Sequence, residues 1–143
     1  MAIWHTIPSL EDINRNSAGC MPGHIGLQIT GIGDDSLTGT LPVDRRTRQP
    51  FGILHGGASV VLAETLGSIA ANLVVDTEKF YCVGQEINAN HLRPVAEGEV
   101  TGVAKPVHIG RSSQVWEIRI SDPSGKLSCI SRITMAVVPH GGQ

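Results

Sequence analysis

The sequence predicts an α+β fold in which a curled, mostly antiparallel sheet of about six strands surrounds one long central helix. Two observations carry this. From Ala58 to about Val75 the chain has no proline, a single interior glycine and a dominance of Ala, Leu and Val; a run so long and so apolar on every side reads as an enclosed helix. Around it lie short segments with period-two alternation or turn-bounded apolar runs, which read as strands.

In order, residues 1–24 form an N-terminal arm, with Ser9 followed by Asp12 as a capping signal for a short helix. Gly26–Gly31 reads as a strand, Gly33-Asp34-Asp35 as a turn, and Ser36–Val43 as a second strand. Asp44–Gln49 is a charged connection, and Gln49-Pro50-Phe51-Gly52 leads through His55-Gly56-Gly57 into the helix. After the polar break at Asp76–Lys79 come four strands, Tyr81–Asn90, Gly98–Val107, Gln114–Ser121 and Leu127–Val138. Asp122-Pro123-Ser124-Gly125 is a hairpin turn between the last two. Trp116, Ile118 and Ile120 alternate with Val115, Glu117 and Arg119, as a sheet with one covered face requires. Pro139–Gln143 reads as a loose tail. There is no repeat and no second domain, so residues 1–143 form one domain.

Composition narrows the function. Apolar residues make up 41% and charged residues 17%, the balance of a soluble globular domain. A net charge of −2 argues against a nucleic-acid partner. The N-terminus lacks a basic start and an apolar run, so a cytoplasmic location is expected. No stretch approaches the roughly 18 unbroken apolar residues of a membrane span, and no membrane partner is expected. Cys20, Cys82 and Cys129 are widely spaced without a C-x-x-C pair, and read as reduced thiols. Six histidines occur, but neither H-E-x-x-H nor H-x-H does, so no metal site is expected. No G-x-S-x-G elbow points to a serine hydrolase.

The chemistry concentrates on the helix. Glu64, Ser68 and Asn72 recur at spacing four and share one face. A carboxylate within so apolar a helix calls for a partner or a task. Gly56 and Gly57 at the helix start leave backbone N–H groups at the positive end of its dipole, a cradle for an oxyanion. Acid and cradle together point to acyl transfer or hydrolysis. Each group has a plainer reading: Glu64 as half of an ion pair, Ser68 bonded back to a helix carbonyl, Gln49 as a turn residue.

Three ordered blocks narrow this further: Q-P-F-G-I-L-H-G-G-A-S-V-V-L-A-E-T-L-G-S, then G-Q-E-I-N-A-N-H, then H-I-G-R. Together they resemble the Glu-dependent branch of the hotdog-fold acyl-CoA thioesterases, which includes 1,4-dihydroxy-2-naphthoyl-CoA thioesterase, the enterobactin proofreading thioesterase and one type of 4-hydroxybenzoyl-CoA thioesterase. The resemblance covers nearly the whole chain, from Ile3-Trp4 to Ala136-Val137. It implies that Glu64 is the catalytic carboxylate, as nucleophile or as base toward water, and that the Gly56 N–H polarises the thioester carbonyl. It implies that His55 and Gln49 orient that site, and that Ser68 lies near the reacting thioester. Gly84, His91-Leu92-Arg93-Pro94 and His108-Ile109-Gly110-Arg111-Ser112-Ser113 fall on segments that line the CoA site. Pro94, Ser112 and Ser113 stand at variable positions of that lining. No cofactor is implied, since the CoA thioester is itself the substrate; a place in menaquinone biosynthesis is one implication.

Gly56 and Glu64 are eight residues apart, roughly 12 Å along a helix, whereas both must reach one carbonyl group. A homodimer with shared sites is therefore expected. The resemblance implies the same, with dimers joined edge to edge and paired into a homotetramer. Two other readings stay open: a hotdog hydratase or dehydratase, which needs a His paired with a carboxylate, and a non-catalytic acyl-CoA binding module, which needs no Glu64.

Overall fold

The computed structural model describes residues 1–141 and contains a six-stranded antiparallel sheet with one long helix across a face. Along the chain come α1 (Leu10–Ser17), α2 (Met21–His24), β1 (Gln28–Ile32), β2 (Leu37–Pro42) and α3 (Gly56–Val74). Four strands follow: β3 (Phe80–His91), β4 (Glu99–Ile109), β5 (Ser113–Ser121) and β6 (Leu127–Pro139). The sheet order is β1-β2-β4-β5-β6-β3, so α3 carries the chain across the sheet and delivers β3 to the far edge.

The expected curled sheet wrapped around an enclosed helix needs correction. This sheet is open: β1 and β3 are its two edges and do not meet, and α3 lies on one face. Seven of the nineteen α3 residues are buried: Ser59, Leu62, Ala63, Leu66, Gly67, Ala70 and Ala71. Their spacing is a single helical stripe. Composition shows that the other sides of α3 are apolar, but it does not supply strands to cover them. By length and composition α3 could cross a membrane; it lies instead against the sheet as its core helix.

Close approach of helix and sheet depends on small residues. A Cβ on Gly67 would come within 2.6 Å of Ile133, and one on Gly102 within 2.8 Å of Leu66. Trp116, Ile118 and Ile120 face this interface with no exposure, as their alternation predicts. Trp116 donates its indole N–H to the buried Gln114 at 2.8 Å, and Gln114 in turn donates to the Ala71 carbonyl at 3.4 Å.

The N-terminal arm is tied down. His5 and Thr6 N–H groups cap the C-terminal end of α3 through the Leu73 carbonyl, at 2.8 and 3.3 Å. Trp4 stacks on Trp116 with ring centroids 6.1 Å apart and donates to the Gly33 carbonyl. Ser9 caps α1 by accepting from Asp12 N–H, as its spacing indicates. Asn14 then pins α1 to β1 by exchanging two hydrogen bonds with Ile29. At the other terminus Pro139 closes β6 and the His140 N–H donates to the Lys79 carbonyl, so order extends past the expected start of the tail. The last two residues of that tail, 142–143, lie outside the described residues.

Cys82 and Cys129 are buried, and burial pushes both thiols up; Cys20 is exposed, and all three are free.

Candidate active site

The segment before α3 is a built turn. Asp44 binds Arg46 through its backbone N–H and guanidinium, which holds the carboxyl at about 2, well below its ordinary 3.8. Thr47, only 2% exposed, bonds the Pro42 carbonyl through its hydroxyl and accepts the His55 N–H on its carbonyl. Gln49 is half-buried, and its side-chain oxygen accepts from Phe51 N–H. These bonds fix where the helix begins.

His55 is the N-cap of α3, and its Nδ1 accepts from Gly57 N–H at 2.8 Å. That occupies the second donor of the glycine pair. The Gly56 N–H has no partner among the described residues, and the first turn of α3 carries no acidic side chain. One backbone donor therefore stands free at the positive end of a nineteen-residue helix. His91, the last residue of β3, lies over it: a Cβ on Gly56 would meet the His91 Nε2 at 2.9 Å. Gln49, Gly56, His91, Leu92, Arg93 and Pro94 line one cleft, with Ile53 and Leu54 as its apolar wall.

Glu64 sits two turns further along α3. It is half-buried rather than sunk in the core, because it faces away from the buried stripe. No salt bridge holds it among the described residues. Its carboxylate rests against β3 at Gly84, where a Cβ would be only 2.9 Å from Oε2. Ser68, one turn on, points its hydroxyl toward the Met135 sulfur at 4.0 Å. Asn72 shares the face but does something else. It donates to the Cys82 carbonyl and accepts the Cys82 N–H, lashing α3 to the edge strand.

His108 and Ile109 end β4, Gly110, Arg111 and Ser112 form the turn, and Ser113 opens β5; Gly110 N–H closes the turn on the Ser113 carbonyl at 2.8 Å. Strand register sets this turn at the Gly84 end of the sheet: Ser113 pairs with Ala136, and Ala136 with Val83. His91 pairs with Cys129 at the opposite end. The predicted residues thus fall into two groups within one chain. Gln49, His55, Gly56 and His91–Pro94 gather at one end, while Glu64, Ser68 and Gly84 gather toward the other with the His108–Ser113 turn. Arg93 and Arg111 are exposed and unpaired among the described residues. No cluster of potential metal ligands occurs among the described residues.

Sequence reasoning missed the wall that α1 adds beside Ser68, where Ile13 and Asn16 face Ile69 and Leu73 across a cleft. The capped helix Leu10–Ser17 was legible, but nothing local says which part of α3 it faces.

Residues 51–129 match the family described as the Thioesterase superfamily. The 1,4-dihydroxy-2-naphthoyl-CoA hydrolase of Escherichia coli (strain K12) is 52% identical over 136 residues, covering 95% of this chain and 99% of that protein. The proofreading thioesterase EntH of Cronobacter turicensis is 51% identical over 137 residues, covering 95% of this chain and 98% of that one. In the crystal structure of a mutant thioesterase PA1618 from Pseudomonas aeruginosa, 53% identical, the fold superposes with a TM-score of 0.95 over 96% of this chain and 99% of that chain. The thioesterase HI1161 of Haemophilus influenzae, 47% identical, superposes with a TM-score of 0.93 over 96% and 95%. The chain belongs to the thioesterase superfamily, and is a hotdog-fold thioester hydrolase acting on acyl-CoA.

Proposed function

We propose that this thioesterase cleaves an aromatic or medium-chain acyl-CoA to the free acid and CoA, with Glu64 as the reacting carboxylate and the Gly56 N–H as the oxyanion donor. The carbonyl oxygen accepts from Gly56, which stabilises the charge that grows on it. As nucleophile, Glu64 adds to the carbonyl carbon, CoA leaves as thiolate, and water then opens the mixed anhydride. As base, Glu64 takes a proton from a water whose oxygen attacks, and the thiolate leaves and is protonated. His55 keeps Gly57 N–H occupied and so aims a single donor, while exposed Arg93 and Arg111 suit the CoA phosphates.

The observation that carries this reading is the separation of the two groups along β3. Gly84, against Glu64, and His91, against Gly56, are seven residues apart, about 23 Å of strand. β3 is an edge strand twelve residues long, with one side unpaired among the described residues. Antiparallel pairing of two β3 strands about a twofold near Ile87 and Asn88 sets Gly84 of one copy opposite His91 of the other. Each Glu64 then meets its partner's cradle, in a homodimer with two shared sites and further pairing into a tetramer.

The test uses subunit exchange. A variant carrying Gln49→Ala and Gly56→Pro, shown by circular dichroism to be folded, is mixed with Glu64→Ala. Each parent loses at least about a hundredfold in turnover. The mixture recovers about a quarter of wild-type thiol release, since about half the dimers are mixed and each has one intact site. Exchange without recovery rules out the shared site. A Glu64→Ala parent of near-normal turnover removes Glu64 from the mechanism.

A further inference from the structure

We infer that Thr47 is a positioning residue for the reaction: its buried hydroxyl sets where the Gly56 N–H stands, and so how strongly the thioester carbonyl is polarised. The inference rests on Gly56 being the oxyanion donor. Thr47 lies in a charged run, with Arg45, Arg46 and Arg48 all exposed around it, yet it is itself only 2% exposed. A hydroxyl withdrawn from water in such a run is held there by its bonds.

Those bonds lead from the sheet to the cradle. The Thr47 hydroxyl donates to the Pro42 carbonyl at 2.7 Å and accepts the Asp44 N–H at 3.1 Å. Pro42 ends β2 and pairs with Glu99 of β4, so this end is anchored in the sheet. At the other end the Thr47 carbonyl accepts the His55 N–H at 2.8 Å. His55 and Gly56 share the peptide unit that carries the donor. The carbonyl of that unit accepts from Ala58 N–H at 2.9 Å and Ser59 N–H at 3.2 Å. In a trans peptide the N–H points opposite to the carbonyl, so a carbonyl turned into the first turn of α3 aims the donor out of the helix. The helix thus sets the tilt of this unit, and Thr47 sets its place relative to the sheet. A second tie, Leu54 N–H to the Val95 carbonyl, reaches a residue outside any strand. Without the hydroxyl, the Pro42 carbonyl and the Asp44 N–H lose their partner, and the turn must open to rehydrate them. The cradle moves with it.

The experiment compares Thr47→Val, which keeps the shape and loses the hydroxyl, with Thr47→Ser, which keeps the hydroxyl. Thr47→Val lowers kcat at least about tenfold with KM within about threefold, and Thr47→Ser stays within about threefold of wild type in both. General loosening also lowers kcat, so the carbonyl is read directly. Each protein binds an isotope-labelled benzoyl-CoA analogue in which a methylene replaces the thioester sulfur, and difference infrared spectroscopy records the carbonyl stretch. Wild type moves the stretch to lower frequency than in water, because the donor polarises the carbonyl. Thr47→Val loses more than half of that shift, and Thr47→Ser retains it. Full kcat in folded Thr47→Val, or a lowered kcat with the shift unchanged, overturns the inference. If Thr47→Val fails to fold, Thr47→Cys, which fills similar space and donates only weakly, decides by the same two readings. Folded Gly56→Pro separates the two levels. If it keeps the shift, Gly56 is not the donor and the underlying reading falls; if it loses the shift while Thr47→Val keeps it, only the role of Thr47 falls.

Discussion

Replacing Gly84 by alanine should damage turnover without damaging the fold. The added Cβ would lie 2.9 Å from Glu64 Oε2, 3.7 Å from its carboxyl carbon and 3.6 Å from Ile133 Cδ1. Ordinary contact begins near 3.4 Å, so the carboxylate must retreat by about 0.5 Å while Ile133 need not move. The atom that yields is the end of a flexible side chain, and a small rotation relieves the contact at little energetic cost. Gly84 does not have positive φ, so alanine fits the backbone and removes a glycine from a strand, worth about 0.5–1 kcal/mol in its favour. The melting temperature should therefore hold or rise by a few degrees. Turnover is another matter. A 1 Å misplacement in a reacting pair costs about a hundredfold, so about half that displacement predicts a loss near tenfold in kcat. The assay is thiol release at saturating acyl-CoA, with the melting curve and the oligomer mass measured on the same sample. A folded, correctly assembled Gly84→Ala protein with full kcat would refute the claim that β3 positions the carboxylate.

Arg93→Ala and Arg111→Ala should raise KM more than they lower kcat, because contacts to the nucleotide end of CoA act equally in ground and transition states; steady-state kinetics at two salt concentrations checks both points. Asn72→Ala leaves the Cys82 N–H and carbonyl without their side-chain partner and should cost about 1–3 kcal/mol, read as a lowered denaturant midpoint. Asp44 has its folded value depressed from 3.8 to about 2, so its contribution is complete above 3.8 and is lost as pH falls through about 2. Asp44→Asn should therefore flatten the fall in melting temperature over that window, measured by thermal scans at stepped pH.

Much of this protein was legible along the chain. The Ser9 cap, the proline-free run through Leu62 and Leu66, and the alternation at Trp116, Ile118 and Ile120 each report how a segment is built relative to its own axis. The H-G-G turn before α3 was legible for the same reason: a helix start is decided by a few neighbouring residues. Glu64 also stood out as a candidate, because a carboxylate in an apolar helix is out of keeping with its surroundings.

Only the tertiary structure decided what meets what. Periodicity showed α3 to be apolar on all sides, but the sheet covers one stripe, so Glu64 is half-buried beside an edge strand rather than enclosed. Gly84 gave no local sign that its missing side chain makes room for Glu64, nor His91 that it would lie over Gly56. Asn72 looked like a third member of a reactive row and proved to be a lashing between helix and strand. All four depend on β3 crossing to the far edge of the sheet and pairing with β6, a contact between segments distant in sequence. Hydrophobic pattern is a property of one element and its own repeat. Which element it meets depends on the combined burial and hydrogen bonding of all of them, and no single segment carries that information.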